Sequence, residues 1–293
     1  MPQPTLTATV PRQLVHRAAV AETFLTDWER TGADRFRLCA QWPRAHQLHV
    51  SCDRSAYEPL LVAETVRQCG ALLSHAEYQA PLDHCFVLKE LRLTTYPEHL
   101  AVGGAPAEPV LDVTVFDVRH RAGRPTAFRY DTDVRLGGER VASAHIAVSW
   151  TSASVYRRLR GGRTADTVSS LPLPPALPAG TVGRALAADV VLAPPDRPGR
   201  WQLRVDTAHP VFFDHPLDHV PGMLLLEAAR QAVRAVTAGP DSCASFRAAF
   251  HQYAELDRPT WIEVVDRNGK GLEVRGTQGD STVFECAVDA AAR

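Results

Sequence analysis

The chain contains an internal repeat, and this repeat constrains the fold more than any other feature. Residues 59–68 read PLLVAETVRQ, and residues 222–231 read GMLLLEAARQ. Both segments are apolar runs that close on the pattern E-x-x-R-Q, and the matching Glu, Arg and Gln residues are each 163 positions apart. A constant spacing between two such segments indicates duplication of a unit of roughly 140–150 residues. The sequence therefore predicts two similar halves, each with its own copy of the motif.

Both copies of the motif are predicted to lie on helices. Pro59 opens the first helix, which we expect to run to about Tyr78, because proline is favoured in the first turn. The second helix follows the Pro-Gly pair at 221–222 and is expected to end near the Ala-Gly-Pro stop signal at 238–240. Apolar residues cover most of the circumference of the first helix, which is typical of a buried helix.

The segments after each helix alternate apolar and polar residues in the manner of strands. The expected strands are 85–88, 91–96, 111–118, 127–136 and 141–150 after the first helix, and 261–265, 272–276 and 282–288 after the second. The expected turns are Gly137-Gly138, Asn268-Gly269 and Gly279-Asp280. A buried helix followed by antiparallel strands, twice over, predicts an α+β fold. A dinucleotide-binding fold is disfavoured, since G-x-G-x-x-G and regular strand–helix alternation are both absent.

Length and composition fit a globular chain of two ordinary domains or of one large domain. The 293 residues include 32 basic and 33 acidic side chains, and 45% are hydrophobic. This near-neutral balance gives no electrostatic reason to expect a nucleic-acid partner. No stretch approaches the roughly 20 continuous apolar residues of a membrane span, and the N-terminus lacks the apolar core of a signal peptide. The six cysteines contain no CxxC pair, so free, mostly buried thiols in the cytoplasm are expected.

A linker is predicted between a first domain at 1–169 and a second domain at 170–293. It spans about residues 153–180 and contains the basic run RRLRGGR at 157–163 and the proline-rich run LPLPPALP at 171–178. A proline-rich segment of this kind is semi-rigid. The arginines could dock an acidic carrier protein, but a solvated linker face is the simpler interpretation.

The polar residues of the repeated motif are candidates for chemistry. We expect Glu64 and Glu227 to act as acid–base groups, because burial raises the pKa of a carboxylic acid toward that of a useful base. Arg67 and Arg230 follow on the same helix face and are candidates for gripping a phosphate with two bonds. The alternative is a structural Glu–Arg pair inside an apolar helix. The motif glutamines complete the substrate-binding candidates: Gln68 and Gln231.

The stretch from 209 to 227 resembles the entrance of the active-site helix in hot-dog dehydratases of fatty-acid synthesis. Its sequence is HPVFFDHPLDHVPGMLLLE, and the resemblance gives His215 and Glu227 the catalytic places, although the loop after the histidine is shorter here. A helix N-terminus carries free N–H groups that polarise a thioester carbonyl. Gly222 allows the carbonyl to come close to them.

The chain as a whole resembles the A-factor biosynthesis proteins of actinomycetes. The resemblance rests on VHR at 15–17, LTDW at 25–28, AQWPR at 40–44, PLLVAETVRQ at 59–68 and DHVPGM at 218–223. It implies two tandem hot-dog domains, each an antiparallel sheet wrapped around a central helix. It also implies transfer of a β-ketoacyl group from an acyl carrier protein thioester to dihydroxyacetone phosphate. That ester leads to γ-butyrolactone, butenolide or furan signalling molecules, and no cofactor or metal is implied.

Other functions remain compatible with these residues. One is a dehydratase or thioesterase acting on acyl thioesters, and another is a non-catalytic acyl- or lactone-binding regulator. A metal site at His209, His215 and His219 has no supporting motif, and Cys69, deep in a helix, is more typical of packing than of catalysis. The sequence leaves open the acyl chain length, the oligomeric state and whether one or both motif copies are active.

Overall fold

In each half of the chain, one long helix packs against an antiparallel sheet. The computed structural model describes residues 8–237, 243–266 and 271–290, and its α-helices are α1 (Pro59–Ala76), α2 (Ala153–Leu159) and α3 (Gly222–Thr237). The strands of the first half are β1 (Leu25–Gly32), β2 (Arg35–Ala40), β3 (Cys85–Thr95), β4 (Val110–Arg121), β5 (Arg124–Leu136) and β6 (Glu139–Thr151). Those of the second half are β7 (Leu192–Arg197), β8 (Arg200–Leu203), β9 (Cys243–Phe250), β10 (Trp261–Asp266), β11 (Leu272–Gln278) and β12 (Ser281–Ala290).

The strand order confirms the duplication. All twelve strands form one sheet in the order β1-β2-β4-β5-β6-β3-β9-β12-β11-β10-β8-β7. Read from its outer edge inward, the first half runs 1-2-4-5-6-3, and the second half repeats this order with each strand number raised by six. The halves join through antiparallel pairing of β3 and β9, with Leu93 opposite Phe246. This arrangement is the double hot-dog fold that the sequence predicts.

The two motif helices are buried as predicted. Residues 60–66 of α1 and 223–233 of α3 are buried without interruption. α1 begins at Pro59 and ends at Ala76, slightly before the expected end. α3 ends at Thr237, and its predicted stop signal at 238–240 lies outside the described residues. Among the described residues, no helix is both long and apolar enough to cross a membrane.

The predicted strands are present, and the structure contains five more. The segments 85–88 and 91–96 form the single strand β3, which continues through a register shift between Leu88 and Glu90. The turns at 137–138 and 279–280 are confirmed, whereas Asn268-Gly269 lies outside the described residues. The strands that the sequence analysis missed are β1, β2, β7, β8 and β9.

The basic run after β6 is not a solvated face throughout, and for Arg160 that interpretation was wrong. Arg160 is only 6% exposed, because its guanidinium is held by carboxylates of the second half. Its Nε donates to Asp218 Oδ2 at 2.9 Å, and its Nη1 and Nη2 donate to Glu255 at 2.7 and 2.8 Å. The segment is therefore fastened to the second half of the chain, while Arg157 remains exposed.

Candidate active site

Glu64 is the centre of a buried ion cluster, the first cluster, which contains Glu64, Arg17, Arg67 and Gln68. The carboxylate has no exposed surface. Its Oε1 lies 2.9 Å from Arg17 Nε and 2.7 Å from Arg67 Nη2. Arg67 Nε donates to Oε2 at 2.8 Å, and Gln68 Nε2 donates to Oε1 at 2.8 Å. The carboxylate is therefore surrounded by donors, and two guanidiniums share its charge.

The second cluster repeats this arrangement around Glu227 and contains Glu227, Arg184, Arg230 and Gln231. Arg184 Nε donates to Oε1 at 2.7 Å, and Arg230 Nε donates to Oε2 at 2.9 Å. Gln231 Nε2 donates to Oε1 at 2.6 Å. Each half of the duplicated chain has thus kept a carboxylate between two guanidiniums and an amide.

The motif glutamines tie the helices to the backbone. Gln68 donates from Nε2 to the Glu22 carbonyl at 2.7 Å and accepts at Oε1 from the Phe24 N–H at 2.9 Å. Gln231 makes the same two contacts with the residues that lie 167 positions after these. Both glutamines are 0% exposed. Their amide groups hold the clusters in position and do not border open space.

Sequence reasoning missed the second arginine of each cluster, Arg17 and Arg184. Both belong to a V-x-R triplet, at 15–17 and 182–184, whose central residue adopts a left-handed conformation. That residue is His16 with φ 55° in the first half and Gly183 with φ 69° in the second. The triplets are 167 positions apart and the helix motifs 163. A search at one fixed spacing therefore does not find them.

The expectation that burial would raise the glutamate pKa values was wrong. Burial alone does act in that direction, but the paired guanidiniums outweigh it at both positions. Arg17 and Arg67 hold the pKa of Glu64 well below its usual range. Arg184 and Arg230 lower the pKa of Glu227 to about 2. Both carboxylates are therefore ions at neutral pH, fixed in place and poorly suited to accepting a proton.

Stability is expected to decrease as the pH falls from about 5 toward 2. A carboxylate with a lowered folded-state pKa stabilises the fold above its unfolded-state pKa, and this contribution is lost as the pH falls through the folded-state value. For Glu227, with a pKa of about 2 against an ordinary 4.5, the contribution at neutral pH is on the order of 3 kcal/mol. Urea unfolding curves across this pH range measure it. An unchanged midpoint would contradict the ionised state.

A cavity of about 650 Å³ lies against the first cluster. It is lined from both halves: Arg17 and Arg67 come from the first half, and residues between Val211 and Met223 come from the second. The two parts touch, since Arg17 Nη1 donates to the Val211 carbonyl at 3.1 Å. Part of its wall is apolar and comes from Phe86, Leu88, Ile146 and Val148. A volume of this size is typical of small-molecule sites. Arg67 of the first motif and the first residues of the second motif helix, Gly222 and Met223, therefore border one cavity.

The two clusters differ in exposure and in charge. The Arg67 side chain is 22% exposed, and the Arg230 side chain is 0% exposed. Arg230 Nη1 also lies 3.7 Å from a third partner, Glu58, so the second cluster with Glu58 sums to zero charge. The position 163 residues after Glu58 is Pro221, which has no charge. The four residues of the first cluster sum to a formal charge of +1, and the buried Asp214 carboxylate lies near enough to Arg67 to raise its pKa.

His215 and Gly222, both predicted site residues, line the same cavity. The His215 side chain is 41% exposed, and its Nδ1 lies 3.6 Å from Asp214 Oδ2, which is too long for a hydrogen bond. Asp214 instead accepts from the backbone N–H groups of residues 18 and 19. Gly222 begins α3, where a Cβ atom would lie 3.1 Å from Phe250. This close packing explains the glycine at the helix start.

Each half of the chain contains an equivalent histidine–carboxylate contact, His46–Glu22 in the first and His209–Asp189 in the second. His46 Nδ1 accepts from the N–H groups of residues 48 and 49, and its Nε2 lies 3.2 Å from Glu22. His209 does the same with residues 211 and 212 and with Asp189. Since Nδ1 accepts in both rings, Nε2 carries the proton and donates to the carboxylate. These histidines shape the loops that cover the clusters.

Glu22, His46 and His49 have potential ligand atoms within 4.8 Å of one another. Metal ligation by His46 would need a lone pair on Nε2, but the two backbone donors at Nδ1 leave the proton on Nε2. The cluster therefore fits a hydrogen-bonded contact better than a metal centre.

The fold and the cavity define a hot-dog protein with a site between its two halves. Two solved structures share this fold over most of their length. The first is the 12:0-ACP thioesterase from Umbellularia californica, with a TM-score of 0.53 and 12% identity over 89% of this chain and 98% of that one. The second is an acyl-ACP thioesterase from Bacteroides thetaiotaomicron, with a TM-score of 0.53 and 12% identity over 86% of this chain and 97% of that one. At this identity, the likeness concerns the fold alone.

Within this class, the chain belongs to the AfsA family, the A-factor biosynthesis hotdog domain, which matches residues 2–152 and 165–287. A relative from Streptomyces virginiae, a 2-oxo-3-(phosphooxy)propyl 3-oxoalkanoate synthase, is 48% identical over 97% of this chain and 98% of its own. A relative with the same name from Streptomyces griseus is 41% identical over 93% of this chain and 92% of its own. Another from Streptomyces coelicolor is 39% identical over 94% of this chain and 89% of its own.

Proposed function

We propose that this protein transfers a β-ketoacyl group from an acyl carrier protein thioester to the hydroxyl of dihydroxyacetone phosphate. The name of the Streptomyces relatives describes an ester of a 3-oxoalkanoic acid with a 2-oxo-3-(phosphooxy)propyl group. That alcohol portion is dihydroxyacetone phosphate less the hydrogen of its free hydroxyl. The acyl group must arrive in activated form, and a thioester of a cytoplasmic carrier protein supplies it. The ester would be the first intermediate toward a γ-butyrolactone-type signalling molecule.

The observation that carries the proposal is the cavity that joins a cationic cluster to an apolar wall. A phosphate requires positive charge, and the first cluster holds two guanidiniums for one carboxylate. Nε and Nη2 of Arg67 donate to Glu64, and Nη2 also donates to the Val15 carbonyl. Among the described residues, no hydrogen bond engages the remaining nitrogen, Nη1. Arg67 therefore has a donor for a phosphate oxygen, and Arg17 adds charge beside it.

The apolar part of the cavity wall suits the acyl group. Phe86, Leu88, Ile146 and Val148 offer apolar surface to an acyl chain. The start of α3 borders the same space, and the first N–H groups of a helix have no partners within the helix. Those of Gly222 and Met223 are suited to polarising the thioester carbonyl and stabilising the oxyanion that forms on it.

In this proposal the four charged motif residues have unequal roles. Arg67 binds the phosphate, and Glu64 holds Arg67 and Arg17 in the orientation that binding requires. Arg230 and Glu227 form the sealed second cluster, which keeps the two halves in register. Gln68 and Gln231 position the helices. One site per chain is therefore active, at the first cluster.

Transfer and hydrolysis are distinguished by the acceptor. Purified protein is incubated with a β-ketoacyl carrier-protein thioester, with and without dihydroxyacetone phosphate, and both the released thiol and the phosphorylated ester are measured. Thiol release is expected to depend on dihydroxyacetone phosphate and to match the ester in amount. Release that is indifferent to the phosphate would overturn transfer in favour of a thioesterase. Binding without turnover would favour a regulator.

A further inference from the structure

The proposed transfer needs a group that accepts a proton, and this inference rests on that proposal. The attacking hydroxyl must lose its proton as it adds to the thioester carbonyl. Glu64 is poorly suited to this task, because it has no exposed surface and its carboxylate oxygens already accept from three side chains. The base must therefore be another group on the cavity wall.

Asp218 and His219 form a hydrogen-bonded pair at that wall. His219 Nδ1 lies 2.6 Å from Asp218 Oδ1, and both residues line the cavity. Since an ionised carboxylate only accepts, the proton between them belongs to Nδ1, and Nε2 carries a lone pair. Among the described residues, no hydrogen bond engages Nε2. This is the arrangement of a histidine base with its orienting carboxylate.

The Asp218 carboxylate is buried and held in place by hydrogen bonds. Asp218 is 6% exposed and accepts from Arg160 Nε at 2.9 Å and from the Tyr156 hydroxyl at 2.8 Å. Burial favours protonation, but hydrogen bonds from His219, Arg160 and Tyr156 hold the Asp218 pKa well below its usual range. The ionised Asp218 therefore keeps the His219 ring in one tautomer and one orientation.

Packing against neighbouring groups also holds the His219 ring in place. Tyr253 packs against it edge-on, with ring centroids 4.7 Å apart. The backbone of His219 bridges to Glu255, which in turn receives the Arg160 guanidinium. The charged and titratable groups around the ring include Asp218, Tyr156, Arg160, Tyr253, Glu255 and Cys85.

The other histidines of the cavity are His16, His84 and His215, and each lacks one of these features. His84 Nδ1 is buried without a hydrogen-bond partner among the described residues, so no carboxylate orients the ring through that atom. His215 has its nearest carboxylate at 3.6 Å and its side chain is 41% exposed. His16 Nε2 lies 2.7 Å from His75 Nε2, so its partner is another imidazole. Burial, together with the charge of Arg67, lowers the His16 pKa to about 3, which makes it a weak proton acceptor near neutral pH.

We infer that His219, oriented by Asp218, is the general base of the acyl transfer. Its Nε2 takes the proton of the dihydroxyacetone phosphate hydroxyl while the hydroxyl oxygen forms a bond to the thioester carbonyl carbon. The carbonyl electrons move to the oxygen, which faces the N–H groups at the start of α3, three residues further along the chain. When the carbonyl reforms, the C–S bond breaks, and the leaving sulfur takes the proton from Nε2. Ester and free carrier thiol are the products.

His219→Gln tests this assignment, and His145→Gln is the matched control. His145 Nδ1 also lies 2.8 Å from a carboxylate oxygen, Asp131 Oδ1, but His145 does not line the cavity. His219→Gln is expected to lower kcat by about 10²–10⁴-fold, with the KM for dihydroxyacetone phosphate little changed, because the arginines bind the phosphate. It is also expected to remove the limb on which kcat rises with pH as an imidazole loses its proton. His145→Gln should keep kcat within a few-fold of the parent and keep that limb. Thermal unfolding of both variants checks that the fold is intact.

The outcomes separate this inference from the proposed function. If His219→Gln keeps kcat and the pH limb, the assignment of His219 as the base is overturned, while the proposed acyl transfer is unaffected. If the parent releases thiol without needing dihydroxyacetone phosphate, transfer is wrong, but the same pair then tests His219 as the base that activates water. If the parent releases no thiol at all, both are overturned. Loss of kcat in His215→Gln instead would assign the base to His215.

Discussion

Arg67→Ala is expected to lower kcat/KM for dihydroxyacetone phosphate by about 100-fold, mainly through a higher KM. Hydrogen bonds between charged groups are worth about 1.5–3 kcal/mol, and each 1.4 kcal/mol is a factor of ten. Arg67→Lys keeps the charge but loses the planar pair of donors, so it should recover only part of the activity. Initial rates at fixed acyl thioester and varied dihydroxyacetone phosphate measure both effects.

Arg230→Ala is the matched control, because Arg230 holds the equivalent place in the sealed second cluster. Its removal leaves Glu227 and Glu58 near each other with less compensating charge, so the expected effect is a lower Tm. Arg67 lies partly exposed at the cavity, and its loss should cost little stability. If Arg230→Ala raised KM as strongly as Arg67→Ala without changing Tm, the assignment of the active cluster would be reversed.

The repeated E-x-x-R-Q motif predicted the fold well because it is local. Both copies lie on continuous helices, where spacing in sequence fixes which side chains share a face. The pairs Glu64–Arg67 and Glu227–Arg230 are therefore found as expected. Whether one or both act could not be predicted, since this depends on which loop of the opposite half covers each pair. Glu58 and Pro221 make that difference, and neither belongs to the motif.

The predicted rise of the Glu64 and Glu227 pKa values was wrong, because the sequence indicates that these residues are buried but does not show which charged groups lie beside them. Desolvation raises the pKa of a carboxylic acid, and an adjacent guanidinium lowers it. At Glu64 and Glu227 each carboxylate meets two guanidiniums, and one of the two, Arg17 or Arg184, comes from a distant segment. Only the folded chain brings that second charge close enough to reverse the direction.

At least one of the missed strands, β7, was missed because its local sequence does not show its position in the sheet. β7 contains the pair Pro194-Pro195, which argues against a strand in sequence but is tolerated at a sheet edge, and β7 is the edge strand of the second half. Arg160 looked like part of a solvated run, yet its partners Asp218 and Glu255 lie far along the chain. The domain boundary near residue 170 stays a prediction.

In the proposed function, the asymmetry between the clusters gives the chain one binding surface and one internal support. Duplication placed a carboxylate and two guanidiniums in each half, and the loops of the opposite half then gave them different surroundings. At the second cluster, the Leu48 carbonyl accepts from Arg184 and Glu58 lies beside Arg230. At the first cluster, the corresponding loop carries His215 and leads to the Asp218–His219 pair, and the space between remains a cavity. Substitutions at equivalent positions should therefore separate activity from stability.

Glu227→Gln is expected to destabilise the protein by about 3–5 kcal/mol, because removing one member of a buried ion group leaves the others without compensation. For a chain of this size, each kcal/mol corresponds to about 2–4 °C, so Tm should fall by on the order of 10 °C. Glu64→Gln should lower Tm less, because water in the cavity can solvate Arg67, but it should reduce kcat/KM by loosening the phosphate-binding arginine. Scanning calorimetry and initial rates on the two variants test this. Equal losses of Tm would contradict the division between a sealed cluster and an open one.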